Sequence, residues 1–264
     1  MKIFKILSLV TLVSFLFYGC PSDTPPTPPA TTYYDYLPLA NGNYWNYTNT
    51  IASTNVTSSD SLYIDGTTTI SENSYFQFDA NLEATGIYTL YMKNIDIRKE
   101  DHDYVANGTF TINLGTEAIN IAINDEIILS ESGNAGDILS TVSGTQIQTV
   151  SNISLTIIYR LKTEIVATNA SETIAGTTYN NTIQTKTTLN MKIDATVSGV
   201  TVSAMNQQDV VTMHNTFANQ KGLILSNTDT GYHLEDFSSY DINLGIPLDY
   251  SESTQQVIVN FNVN

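Results

Sequence analysis

The chain has 264 residues, 41% of them hydrophobic and only 14% charged, with 26 acidic against 10 basic side chains and a formal net charge of −16. So acidic a balance speaks against nucleic acid as a partner, because phosphate binding needs Lys and Arg to displace counterions. A single cysteine excludes an intramolecular disulfide, and a chain of this length buries a sizeable core without one.

Lys2 and Lys5 open the chain, and Ile6 to Tyr18 is an uncharged, mostly apolar run of 13 residues ending at Gly19 and Cys20. A membrane-spanning helix needs about 20 such residues, so residues 1–19 read as a secretory signal rather than a span. Residues 20–32 hold the cysteine and a linker in which Pro25, Pro26, Pro28 and Pro29 alternate with Ser, Thr and Ala. Such a stretch favours extended polyproline conformation and acts as a semi-rigid spacer. Loss of Lys2 and Lys5 with the signal would leave eight cations against 26 acids, a formal charge of −18. That charge discourages adsorption to anionic headgroups, so any attachment to a membrane has to be covalent.

From residue 33 to 264 the pattern is that of strands separated by turns. Alternation is clear in Tyr44-Trp45-Asn46-Tyr47-Thr48, in "SLYIDG" from Ser61 and in "TFTINLG" from Thr109. Further strand-like runs are "GIYTLYMKNIDI" from Gly86, "AINIAINDEIIL" from Ala118, "SLTIIYRLKTEIVAT" from Ser154, "TIQTKTTLNMKIDATVSGVTV" from Thr182, "GLILSN" from Gly222 and "QQVIVNFNV" from Gln256. Their Ile, Val, Thr and Tyr suit a pleated, half-buried surface, and no segment carries a helical period with caps. "DGT" at Asp65, "NGT" at Asn107 and "SGV" at Ser198 read as hairpin turns with Gly at positive φ. The expected class is mainly β, a single antiparallel curved sheet or half-barrel over residues 33–264. "IDGTT" at Ile64 and "IAGTT" at Ile174 are a faint internal echo of a duplicated half-sheet. Trp45, alternating with Tyr47 on one strand face, is expected to anchor the core.

Two resemblances bear on this reading. Phe17-Tyr18-Gly19-Cys20 resembles the lipobox of bacterial lipoproteins, with Phe17 where that family usually has Leu. The resemblance implies cleavage before Cys20, a diacylglyceryl group on its thiol and an acyl chain such as palmitate on the new amino terminus. Burial contributes about 0.8 kcal/mol per methylene, and two or more chains hold firmly. An ordinary secretory signal ending near a cysteine, or a buried free thiol, is the alternative. "YLPLANGNYWNYTNT", Tyr36 to Thr50, resembles the start motif Y-x-P-L-x-x-G-x-x-W-x-Y of uncharacterised outer-membrane lipoproteins of Bacteroidota, matched by Tyr36, Pro38, Leu39, Gly42, Trp45 and Tyr47. "IAGTTYNNTIQ" at Ile174 and "TFANQKGLILSN" at Thr216 are similar to later elements of that group, the second with Lys221 in place of one glycine. The group implies a cell-envelope address and a curved sheet distantly similar to lipoprotein-carrier half-barrels. The single acid of Ser22-Asp23 resembles a short surface-export signal; display at the surface and the periplasmic face both stay open.

Catalytic patterns were sought in turn. His102 lies between Asp101 and Asp103, His214 follows Met213, and His233 precedes Glu235 and Asp236, but none forms the H-E-x-x-H spacing of zinc hydrolases. There is no G-x-S-x-G elbow and no phosphate-binding glycine loop, so no catalytic, metal or cofactor residue is assigned and the only assigned site is lipidation at Cys20. "NTDTGYHLED" from Asn227 lacks the third alternating ligand and the terminal glutamate of a calcium loop and reads as a turn. Asp60-Ser61-Leu62 resembles the O-glycosylation acceptor of Bacteroidota. The expected function is non-enzymatic: a lipid-anchored protein that holds a hydrophobic ligand or has a structural role in the envelope. Alternatives are a surface module binding glycans or proteins through Tyr33, Tyr34 and Tyr36, and a hydrolase built from scattered carboxylates. A carrier needs an apolar cavity, a glycan binder exposed coplanar aromatics, and a hydrolase clustered acids.

Overall fold

Alternation of apolar and polar residues sends one set of side chains to each face of a strand. It is plainest in Ile153–Ile174, where Ile153, Leu155, Ile157, Leu161 and Ile165 are buried while Ile158, Arg160 and Val166 are exposed. The computed structural model describes residues 32–114, 117–150, 153–197, 199–236 and 247–264. The signal of residues 1–19, Cys20 and the linker up to residue 31 lie outside the described residues. Residues Tyr33–Asn264 form one compact unit.

The strands are β1 (Tyr44–Ile51), β2 (Thr57–Ile70), β3 (Asn73–Ala80), β4 (Ile95–Glu100), β5 (Asp103–Leu114) and β6 (Glu117–Ser130), then β7 (Ile138–Val150), β8 (Ile153–Ile174), β9 (Thr177–Val197), β10 (Val200–Ala218), β11 (Gly222–His233) and β12 (Asp249–Asn262). They form one 12-stranded sheet in the order β6-β5-β4-β3-β2-β1-β12-β11-β10-β9-β8-β7. Every pairing is antiparallel, as the expected class requires. The first and last strands lie side by side, with Tyr44 opposite Asn262 and Ile51 opposite Thr254. The sheet curls into a nearly closed barrel. At the seam the Gln146 amide donates to the Asn120 carbonyl and the Gln148 amide to the Ala118 carbonyl at 3.0 Å, so side chains of β7 stand in for a ladder on β6.

The segment from Gly86 is where the structure departs most from the strand pattern. Ile87–Lys93 is a helix, α1, and only Ile95 onward is strand. Seven residues are too few to be helical on propensity alone, so tertiary contacts decide. Asp60 of β2 accepts the N–H of Thr85 at 3.0 Å and of Gly86 at 2.8 Å. At the other end Asn94 Nδ2 donates to the Leu90 carbonyl at 2.9 Å. Tyr88, Thr89, Tyr91 and Met92 are buried. Tyr88 meets Phe217 of β10 edge-on at 6.1 Å and Tyr91 meets Phe110 of β5 at 5.3 Å, so α1 bridges two walls of the barrel.

Two of the three glycine signals are also corrected. Gly66 lies inside β2 beside a register shift, and Gly108 lies inside β5, neither of them in a hairpin. Gly108, at φ 149°, is the point where the corner after α1 touches β5: Thr109 N–H donates to the Asn94 carbonyl at 3.0 Å, and a Cβ on Gly108 would lie 2.8 Å from Ile95 Cα. Of the three, Gly199 occupies a hairpin connection, between β9 and β10, at φ 83°. The two echoed segments differ locally, since Gly66 is mid-strand whereas Ala175-Gly176 is the tight turn between β8 and β9. "NTDTGYHLED" is strand through His233 rather than a turn.

Trp45 is fully buried, as expected, and its indole N–H donates to the Lys221 carbonyl at 2.6 Å. In the start motif, Tyr36, Leu37 and Pro38 are buried. Asn43 Nδ2 donates to the Pro38 carbonyl at 3.0 Å, while Asn43 Oδ1 accepts the Asn264 backbone N–H at 3.0 Å. The segment before β1 thus straps one end of the barrel, the end carrying the β2/β3, β4/β5, β8/β9 and β10/β11 turns. The β1/β2 turn and α1 lie at the opposite end.

Candidate functional site

Most of the lumen is filled by the core, but the end that holds α1 is not. Two cavities open there on either side of the start of the helix. One, of about 250 Å³, is lined by Asn49 and Ile51 of β1, Ser58 of β2, Gly86 and Ile87, and Thr228, Glu252 and Gln256 of β11 and β12, among others. The second, of about 450 Å³, is lined by Leu90 and Tyr91 of α1, Phe110 and Ile112 of β5, Val211 of β10, and Thr230, Tyr232, Tyr250 and Glu252. Ile87 and Glu252 belong to both, so the two are neighbouring chambers of one mouth. The larger lies within the roughly 300–1,000 Å³ typical of small-molecule sites.

Behind Gly86, which lines the smaller chamber, lies a polar cluster. Asp60 Oδ2, Asn49 Oδ1 and Gln256 Oε1 converge on the Cα of Gly86; a Cβ there would lie 2.6 Å from the Asn49 oxygen and 2.7 Å from the Asp60 oxygen. Only glycine fits, although its φ of −65° is open to any residue. Three acceptors facing one another are unfavourable when Gln256 Nε2 is placed on Thr89 Oγ1 at 2.5 Å. An amide turned by half a revolution points its NH₂ at Asp60 and Asn49 and accepts the Thr89 hydroxyl proton instead. We favour that orientation, which leaves every member partnered.

The larger chamber is aromatic. Tyr232 and Tyr250 stack at 5.7 Å and 26°, and the Tyr91–Phe110 pair forms the facing wall. Burial raises the phenol pKa of Tyr232, and burial followed by the nearby Glu252 carboxylate raises that of Tyr250, so both rings stay uncharged at neutral pH. Thr230 stands directly opposite Glu252 across the β11/β12 ladder, and its buried Oγ1 has no hydrogen-bond partner among the described residues.

A second polar cluster lies at the strap end. The Tyr104 hydroxyl is 2.7 Å from both Asp35 Oδ1 and Glu131 Oε1, and it accepts the Leu37 N–H at 3.2 Å. Lys99 pairs with Glu131 and lies 3.8 Å from Asp35. Burial, then the Asp35 hydrogen bond, pushes the Tyr104 phenol far upward. This knot of two carboxylates around one lysine and a phenol fixes the strap, with no cavity beside it among those described.

The three histidines stay apart. His102 stacks on Tyr33 at 3.6 Å and faces Glu131 at 3.5 Å, His214 is exposed within β10, and His233 bonds Asp249 Oδ1 through Nδ1 at 2.6 Å. Among the described residues no group of three or more His, Cys, Asp and Glu is placed to hold a metal ion. Tyr36 is buried while Tyr33 and Tyr34 are not, so the tyrosines flanking the linker do not share one exposed face. Ser61, the hydroxyl of the Asp-Ser-Leu triplet, is half-buried in β2 between the buried Asp60 and Leu62. Cys20 lies outside the described residues. None of the mouth residues was marked by a motif; their only sequence signal is polar or aromatic residues at inward positions of β11 and β12.

The hydrogen bond to Asp249 raises the His233 pKa above its ordinary 6.5. A raised value means the fold favours the protonated ring. The stabilisation is therefore present below the ordinary imidazole value and fades as pH rises through the raised one. NMR titration should give His233 a midpoint above 6.5 that falls in Asp249→Asn; equal midpoints in the two proteins would remove the pair.

No protein family profile matches the chain, and no curated protein matches it. One solved structure is similar. It is a protein of Parabacteroides distasonis ATCC 8503 provisionally designated a lipoprotein, 13% identical, with a TM-score of 0.38 over 88% of this chain and 100% of that one.

Proposed function

We propose that this chain is a membrane-anchored extracytoplasmic lipoprotein, held by lipid on Cys20 to the outer membrane of the cell envelope, whose barrel binds a small amphiphilic ligand without catalysis. The address rests on the charged start, the apolar run of 13 residues and the Gly19-Cys20 junction. Binding rests on one observation: a barrel otherwise packed with side chains keeps a mouth of about 450 Å³ walled by aromatic rings. A cavity lined in this way buries an apolar body while its few polar groups orient it. The Tyr232–Tyr250 stack favours a second reading, a sugar ring laid on tyrosine at the same mouth. Residue 33, where the linker ends, lies at the strap end, away from that mouth.

Cys20→Ala is expected to leave the protein without lipid and with its signal uncut by the lipoprotein pathway, read as a precursor of higher mass. A variant that stays in the membrane fraction with unchanged processing refutes the anchor. Native mass spectrometry of the parent protein, purified gently from the envelope, should show a species that leaves on denaturation, unlike the covalent anchor. A single apo mass there counts against the ligand reading alone.

A further inference from the structure

The chemistry of the mouth points beyond a generic amphiphile. Among the described residues neither chamber has a Lys, Arg or His in its lining, whereas Glu252 lies in the wall of both. The remaining polar lining among the described residues consists of hydroxyls and amides, including Thr230 Oγ1 directly opposite Glu252 in the ladder. Tyr91, Phe110, Tyr232 and Tyr250 line the larger chamber together with that carboxylate. Ring faces carry negative potential and attract cations, most strongly where water is excluded. A carboxylate set among aromatic rings therefore stabilises an organic cation and repels an anion, and the acidic chain around it acts in the same direction.

We propose that the mouth is a recognition site for a small organic cation, an alkylammonium or quaternary ammonium group set beside Glu252 with its apolar part against Tyr91, Phe110 and the Tyr232–Tyr250 stack. The inference rests on the ligand-binding reading above and narrows it to one charge class. A fatty acid or another anion would bring its carboxylate against Glu252 with no cation to offset it. A neutral sugar could use the rings and Thr230 but would gain nothing from the charge.

The test uses the full chain carrying Cys20→Ala, titrated by NMR with choline and with its uncharged isostere, in which carbon replaces nitrogen. Choline is expected to shift the ring resonances of Tyr232 and Tyr250, and the isostere to bind about tenfold more weakly. Glu252→Gln, which keeps the shape of the side chain, should lower choline affinity about tenfold and leave the isostere unchanged. Tyr250→Leu gives an independent arm and should weaken choline more than the isostere. Equal binding of the two probes, or insensitivity to Glu252→Gln in a variant that melts like the parent, overturns the cation class while leaving an apolar mouth in place. If neither probe binds, the cation inference falls as well. The mass spectrum of the envelope-derived protein then separates the cases: an anionic or neutral passenger preserves the binding reading, and a bare chain removes it.

Discussion

Trp45→Ala is expected to cost about 3–5 kcal/mol, lowering the melting midpoint by roughly 6–20 °C for a domain of this size. The residue is 1% exposed, its ring lies 6.2 Å from that of Phe78, and its N–H holds the Lys221 carbonyl at 2.6 Å. The indole locks the β10/β11 turn onto β1 through one further contact. Gly222 follows Lys221 at φ 83°, and a Cβ on it would lie 2.5 Å from Trp45 Nε1 and 3.0 Å from Cε2. Gly222→Ala therefore meets two penalties at once. The left-handed backbone costs about 1–2 kcal/mol, and the clash falls on a rigid ring with no room to turn. Trp45→Phe separates packing from hydrogen bonding, because it keeps a ring but leaves the Lys221 carbonyl unpaired, at about 1–3 kcal/mol. Urea unfolding followed by circular dichroism reads all three. If the cost of Gly222→Ala falls, in the Trp45→Phe background, to the about 1–2 kcal/mol of the left-handed backbone, the ring contact accounts for the rest. A loss below about 1 kcal/mol for Trp45→Ala contradicts the burial on which the argument stands.

The class and most of the strands could be read from alternation, because one buried face per strand imposes a period of two on the residues themselves. What could not be read depends on residues distant in sequence. "GIYTLYMK" has the Ile, Tyr and Thr of a strand, and it becomes a helix where Asp60, distant in sequence, holds the chain entering it through the N–H groups of Thr85 and Gly86. Glycine misled in the opposite sense. Gly66 and Gly108 fall inside strands, whereas Ser71-Glu72 makes the β2/β3 turn at φ 47° and 73° without any glycine. Such a turn is sustained by the ladder on either side of it rather than by its own preferences. The mouth was hidden for a related reason. Thr230, Tyr232, Tyr250 and Glu252 are unremarkable in a Thr- and Tyr-rich chain until the β11/β12 register sets Thr230 opposite Glu252 and Tyr232 opposite Tyr250.

Asp60→Ala should release α1 while the barrel strands hold. The carboxylate is 2% exposed and accepts the N–H groups of Thr85 and Gly86, and no other side chain is hydrogen-bonded to those two groups. Leaving the buried Gly86 N–H unpaired costs about 1–3 kcal/mol, and the Thr85 N–H, on an exposed residue, adds less. A seven-residue helix has little stability of its own to absorb that loss. Local opening is expected to precede global unfolding, because β8, β9 and β10 are long and extensively paired whereas α1 is held by the Asp60 contacts to the residues before it and by a few rings. Amide exchange of residues 86–93 should accelerate well beyond that of β9 and β10, and the dye ANS, which reports exposed apolar surface, should bind where Tyr88 and Met92 withdraw. Asp60→Asn keeps one carbonyl oxygen and loses the charge, so it should fall between the parent and the alanine variant. Because Ile87, Leu90 and Tyr91 wall the mouth, the same change should abolish choline binding even though Asp60 is absent from the lining of either chamber. Unchanged protection of residues 86–93 in Asp60→Ala would show that ring packing alone holds the helix, and choline binding would then survive with it.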